Sequence, residues 1–156
     1  MDHRIKIEFE DREALCSGIC GVLAALPCDR WTASLSSLAQ PTIDCLEQVT
    51  KTIDAHSSAA ARSDKISALT RLADEIRLLS VIVRAFKNAA MKSKRETLSD
   101  GKPVAADAND PLISILRRPW PCLSHIASKY SSYEVSKHSL ELLDSYILIG
   151  SLSLYF

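Results

Sequence analysis

Large apolar residues recur along this chain at steps of three and four, the spacing that gathers them on one face of an α-helix. Leu15, Ile19, Val22 and Leu26 form the first such stripe and predict a helix over residues 11–26 with that face buried. Pro27 ends it, because the residue before a proline is pushed out of the helical region. Gly18 and Gly21 weaken the helix by about 1 kcal/mol each relative to alanine, and their presence inside it points to close approach of another helix. Asp29 is placed to cap a short helix through Trp31, Leu35 and Leu38. Pro41 has the fixed backbone angle of a helix's first turn, and Ile43, Leu46, Val49 and Ile53 carry a further stripe to about His56.

Beyond the small, polar stretch SSAAARS, the strongest pattern runs from Asp64 to Ala90. Ile66, Leu69, Ala73, Ile76, Leu79 (or Ser80), Val83 and Phe86 mark its buried side, with Arg71, Glu75, Arg77 and Arg84 toward solvent. The periodicity stops over residues 92–109, where a Gly, a Pro and many charges predict a flexible insertion. Asp110 and Pro111 supply a cap and a first turn for a helix carrying Leu112, Ile115 and Leu116. Pro119 and Pro121 then force a kink or a restart, after which Leu123, Ile126 and Tyr130 continue. A last helix near Ser132 turns Val135, Leu142 and Tyr146 inward. Only IKIEF near the start alternates, over too few residues to define a strand. The fold class is therefore all-α. Consecutive antiparallel amphipathic helices of this kind close into a bundle or stack as a solenoid, and periodicity alone does not choose.

Composition narrows the function more than the fold. Nineteen Lys plus Arg balance nineteen Asp plus Glu, which argues against a mainly electrostatic nucleic-acid binder. Five cysteines without a repeated close pair, behind a charged opening segment, indicate free thiols in a reducing compartment. The apolar run from Tyr146 to Phe156 is far shorter than the ~20 residues a membrane-spanning helix needs, so no membrane anchor is expected. Cys16 and Cys20 lie one helical turn apart but have no further ligands at metal-binding spacing, and read as small residues in a helix interface. His3, His56, His125 and His138 are scattered over four elements. With no nucleophile elbow, phosphate-binding glycine loop or HExxH in the chain, no catalytic, cofactor-binding or metal residue is assigned and no enzyme is expected. Lys87, Lys92, Lys94 and Arg95 read as cations offsetting a helix C-terminus. Trp31 and Trp120 sit in apolar stripes and read as packing between neighbouring hairpins.

The order of these pieces carries one resemblance. The run ALCSGICGVLAALPCDRW followed by LSSLAQPTIDCLEQV, then LADEIRLLSVIVRAF at 72–86, then PLISILRRPWPCLSHIASKY at 111–130, resembles the middle of nuclear transport receptors of the importin-beta superfamily, in the transportin-3 and importin-13 branch. The Trp-Pro step at Trp120 and Pro121 is its most distinctive detail, and the likeness spans about Glu13 to Leu143. It implies a superhelix of HEAT-like antiparallel hairpins, about two and a half of them. Residues 1–10 would be an N-terminal extension and 11–56 one hairpin. Residues 64–130 would be a second, carrying the insertion 92–109, and 132–156 a partial hairpin with a divergent tail. The resemblance also implies a fragment of a receptor that shuttles between nucleus and cytoplasm. Its partners would be protein cargo such as Arg/Ser-rich splicing factors, the GTPase Ran through the full array, and nucleoporins. The branch continues with a row of arginines suited to phosphate; here the matching stretch offers Lys137 and His138, with Glu134, Glu141 and Asp144 set to repel phosphate.

Overall fold

In the computed structural model the described residues are 8–55, 62–97, 111–130, 134–142 and 144. They form helices α1 (Phe9–Ala24), α2 (Trp31–Ala55), α3 (Arg62–Thr97), α4 (Pro111–Arg117) and α5 (Trp120–Lys129), and a sixth, α6, over 134–142. The described residues contain no strand, so the all-α class stands. His3, His56, Asp110, Ser132, Tyr146 and the tail to Phe156 lie outside the described residues, as does the insertion from 98 onward.

Glu10 and Asp11 place acidic charge in the first turn of α1, where the helix dipole favours it. The helix ends at Ala24, ahead of Pro27, and a short 3-10 turn (Cys28–Arg30) leads into α2. The Trp31 indole N–H donates to the Leu26 carbonyl at 2.9 Å and pins this corner. Asp29 lies inside the 3-10 turn and makes no cap hydrogen bond, contrary to the capping role its position suggested.

The second difference concerns Pro41. It does not open a helix but sits inside α2, which runs unbroken through it. Pro41 lacks the N–H that would reach back one turn, yet it faces solvent and its cost falls on an exposed carbonyl. What holds the helix together is the stripe on the other side. Trp31, Leu35, Ala39, Ile43, Leu46, Val49 and Ile53 are all buried and stay in phase across the proline.

At 36 residues α3 is about 54 Å long, and it outruns the sequence reading by continuing through residues 92–97. It is the central rod. α1 packs chiefly on α3 and less on α2; α2 packs on α3 and on α4, and more lightly on α5. Flanked on two sides, α3 buries Leu72, Ala73, Ile76, Leu78, Leu79, Ile82, Val83 and Phe86 in one continuous core. Trp31 meets Phe86 edge-on at 5.3 Å, joining α2 to that core. The restart demanded by the RPWP prolines is present: α4 stops at Arg117 and α5 begins at Trp120. Leu123, Ile126 and Tyr130 point inward from α5, and Val135 and Leu142 from α6.

Candidate functional site

Two polar seams lace the helices together. Along the α1–α3 seam the Arg12 guanidinium donates to both carboxylate oxygens of Glu75, at 3.0 and 3.2 Å. Glu75 is 4% exposed, not a solvent-facing residue as its helical position implied. α1 lies over that flank of α3 and brings the cation that makes a buried carboxylate tolerable. Beside it, Arg77 grips Glu13 through two nitrogens, at 2.7 and 2.8 Å, while its guanidinium lies 4.9 Å from the centre of the Phe9 ring.

The second seam joins α2 to the α4–α5 corner. Asp44, Glu47 and Asp54 share one side of α2, and Arg118, His125 and Lys129 answer them. Arg118 reaches Asp44 at 2.7 Å and Glu47 at 3.3 Å. Asp54 takes the Lys129 ammonium at 2.6 Å, the Tyr130 hydroxyl, and His125 Nε2 at 2.9 Å. Hydrogen bonds from Lys129, then Tyr130 and His125, hold the Asp54 carboxyl well below the usual carboxylate range. Burial, reinforced by the bond to Asp54, pushes the Tyr130 phenol up. These carboxylates and cations recur at steps of three, four and seven, so each set forms a one-sided stripe in the sequence. That pattern was the available signal for the seam.

The residues singled out for chemistry do not converge. Cys20 is buried and its thiol points at the Ile82 carbonyl, 3.6 Å away; Cys16 is half-buried one turn before it. Burial pushes the Cys20 thiol up to about 11 and raises Cys16 and Cys45 as well, so these sulfurs stay protonated and weakly nucleophilic near neutrality. Cys122 lies 3.3 Å from the Thr50 hydroxyl between α5 and α2. His125 pairs with Asp54, and His138 with Glu141 at 3.0 Å and Glu134 at 3.6 Å. The hydrogen bond from His138 in turn lowers the Glu141 carboxyl. His125 thus faces a carboxylate across the α2–α5 seam, and His138 two carboxylates of its own helix. Among the described residues no group of three or more His, Cys, Asp or Glu side chains is arranged to hold a metal ion. No helix there is long and apolar enough to cross a membrane.

Among the described residues uncovered apolar surface is found instead, and two stretches of it bear on function. The first corrects the reading of α1. Leu15 and Val22 are 57% and 67% exposed, and the helix buries Cys20 and Ala24. From Ala14 to Cys28 the chain carries no charge, so α1 beyond its first turns has no charged side and a stripe there has no unique inward face. Nor do Gly18 and Gly21 admit a neighbour: a Cβ built on either meets nothing within 4 Å. The second surface is a groove of about 120 Å³ between α4, α5 and α6, lined by Leu116, Trp120, Leu123, Ser124, Ala127, Ser139 and Leu142. Trp120 is 41% exposed on its rim and does not pack in the core as Trp31 does. No protein-family model, curated protein or solved structure matches this chain.

Proposed function

We propose that this chain acts by contact and not by catalysis, as a slice of a helical-hairpin array of the importin-beta type. In that reading it is a non-catalytic segment of a nuclear transport receptor, working in nucleus and cytoplasm. Protein cargo would bind on the stacked helices, and Ran and nucleoporins would engage the rest of the array. The observation that carries the reading is the order of packing. α1 lies against α3 and α2 against α4 and α5, with α2 also crossing to α3. Contacts of this order support the reading, because a helical-hairpin array packs each pair of helices on its neighbours. The uncharged, half-covered stretch of α1 from Ala14 onward supports it too, because an apolar face at the end of a stack is where a further hairpin would sit.

Cargo recognised through phosphate is the least supported part, since Lys137 and His138 stand among Glu134, Glu141 and Asp144. Sequencing the transcript through both sides of this reading frame tests the proposal: in-frame amphipathic hairpins on either side are expected, and flanks encoding an unrelated domain would overturn it. The alternative is a self-standing all-helical interaction scaffold, favoured by the single continuous core. A sharply cooperative, monomeric unfolding transition at high protein concentration would support that alternative.

A further inference from the structure

The outer face of α1 carries a different periodicity from the stripe that predicted the helix. Asp11, Leu15, Gly18, Val22 and Ala25 follow one another at steps of four, three, four and three, the spacing with which one helix lies along another. All five are exposed, because Cys20 and Ala24 turn the opposite side of the helix to the core. Ala25 keeps a helical backbone conformation, so the strip runs unbroken for about 21 Å. Its relief is uneven. Leu15 and Val22 project from it, while Gly18 and Ala25 are low, and a Cβ placed on Gly18 meets nothing within 4 Å. Laid antiparallel against a copy of itself, with the two-fold axis at position 20, the strip sets Val22 of each copy over Gly18 of the other, and Leu15 over Ala25. A parallel pair instead opposes Leu15 to Leu15, leaves a gap at Gly18 and stacks Asp11 on Asp11. The antiparallel register desolvates no charge between Ala14 and Cys28. At each end it brings the exposed Glu10 of one copy to the corner of the other where Arg30 is exposed. Asp29 shares that corner, and the longer reach of Arg30 is what makes the contact favourable.

We infer that the outer face of α1 is the docking site of a second copy of this chain, the two α1 helices pairing antiparallel about a two-fold axis. Such an interface is closed, since each copy presents the same strip to the other, and assembly stops at two. It is also weak. One helix face offers less than the ~800 Å² per partner of a standard interface, so the dissociation constant should be on the order of 0.1 mM. The inference does not rest on the transport reading: a further hairpin seated on α1 would compete for the same strip, and the test uses this chain alone.

Sedimentation equilibrium from about 10 μM to about 1 mM should show a mass that rises from one copy toward two and no further. The informative variant is Gly18→Leu. It fills the hollow that receives Val22, yet its own chain has room for it and gains helix propensity. Helicity and thermal midpoint therefore hold while dimerisation weakens about tenfold. A generally sticky surface gives the reverse, because the variant is the more apolar of the two. Arg30→Glu should weaken the dimer about fivefold, and adding Glu10→Lys should restore it. Should Gly18→Leu lose helicity, this charge exchange carries the comparison. A chain that stays monomeric to about 1 mM overturns the inference and leaves the face to a different partner. So does a mass that passes beyond two copies, undiminished association of Gly18→Leu, or no recovery in the charge-exchanged variant.

Discussion

Arg12 and Glu75 show how far a residue's role depends on a partner sixty-three positions away. On the α3 pattern alone Glu75 belongs with the solvent-facing charges; only the arrival of α1 buries it and supplies its counter-ion. The pair is asymmetric, with Arg12 partly exposed and Glu75 nearly enclosed. Removing the cation strands a buried carboxylate, whereas removing the carboxylate leaves a guanidinium that water still reaches. Arg12→Leu is accordingly expected to cost about 2–4 kcal/mol in urea unfolding, and Glu75→Leu distinctly less. Equal losses would mean that the two groups share the burial. Asp54 gives a second residue-scale expectation. Its folded-state pKa is depressed, so its bonds to Lys129, Tyr130 and His125 stabilise the fold above the unfolded-state value, about 3.9, and that contribution is lost as pH falls below it. Between pH 6 and pH 3 the wild-type urea midpoint should therefore drop further than that of Asp54→Asn.

At the scale of elements, the sequence was legible wherever one helix face meets one neighbour. The α5 residues Leu123, Ile126 and Tyr130, the α6 residues Val135 and Leu142, and the restart after the α4 prolines all lie where spacing put them. It was misleading where a helix has two neighbours or an incomplete one. α3 is buried on more than its expected side because α1 and α2 both flank it, and a single stripe cannot express that. α1 reads ambiguously because from Ala14 onward it has no charged side to oppose its apolar one, so Leu15 and Val22 were placed inward and lie outward. α2 hides its continuity behind Pro41, whose local preference is overridden by a stripe in register on both sides. Because Gly18, Gly21 and Pro41 are all exposed and helical, each is a site of avoidable cost. Gly18→Ala and Gly21→Ala should each raise stability by about 1 kcal/mol, and Pro41→Ala by about as much or more, read as higher midpoints in thermal unfolding. If Gly18→Ala lowers the midpoint, the outer face of α1 is already occupied in solution.

For the whole molecule, zero net charge and uncovered apolar surface act in the same direction. Nothing electrostatic opposes association, and Leu15 and Val22 offer a surface for it. Sedimentation over a concentration series should show weak self-association that the double substitution Leu15→Glu, Val22→Glu diminishes, with helicity unchanged because both side chains already face water. Association that survives it would move the sticky surface elsewhere. None of this surface was legible in the sequence, since exposure is a property of what a helix lacks as a neighbour. The candidate chemistry was legible only as scatter: four histidines and five thiols that do not converge, with His125, Cys20 and Cys122 meeting a carboxylate, a carbonyl and a hydroxyl between helices.

The lateral docking of α1 on α3 also sets a schedule for synthesis. Arg12 emerges from the ribosome 63 residues before Glu75 emerges, an interval of roughly 3–13 s at ordinary elongation rates. Throughout it the uncharged run from Ala14 to Cys28 hangs from the tunnel with its eventual seat unbuilt. A nascent chain of this design is a client for chaperones before it is a binder of anything else.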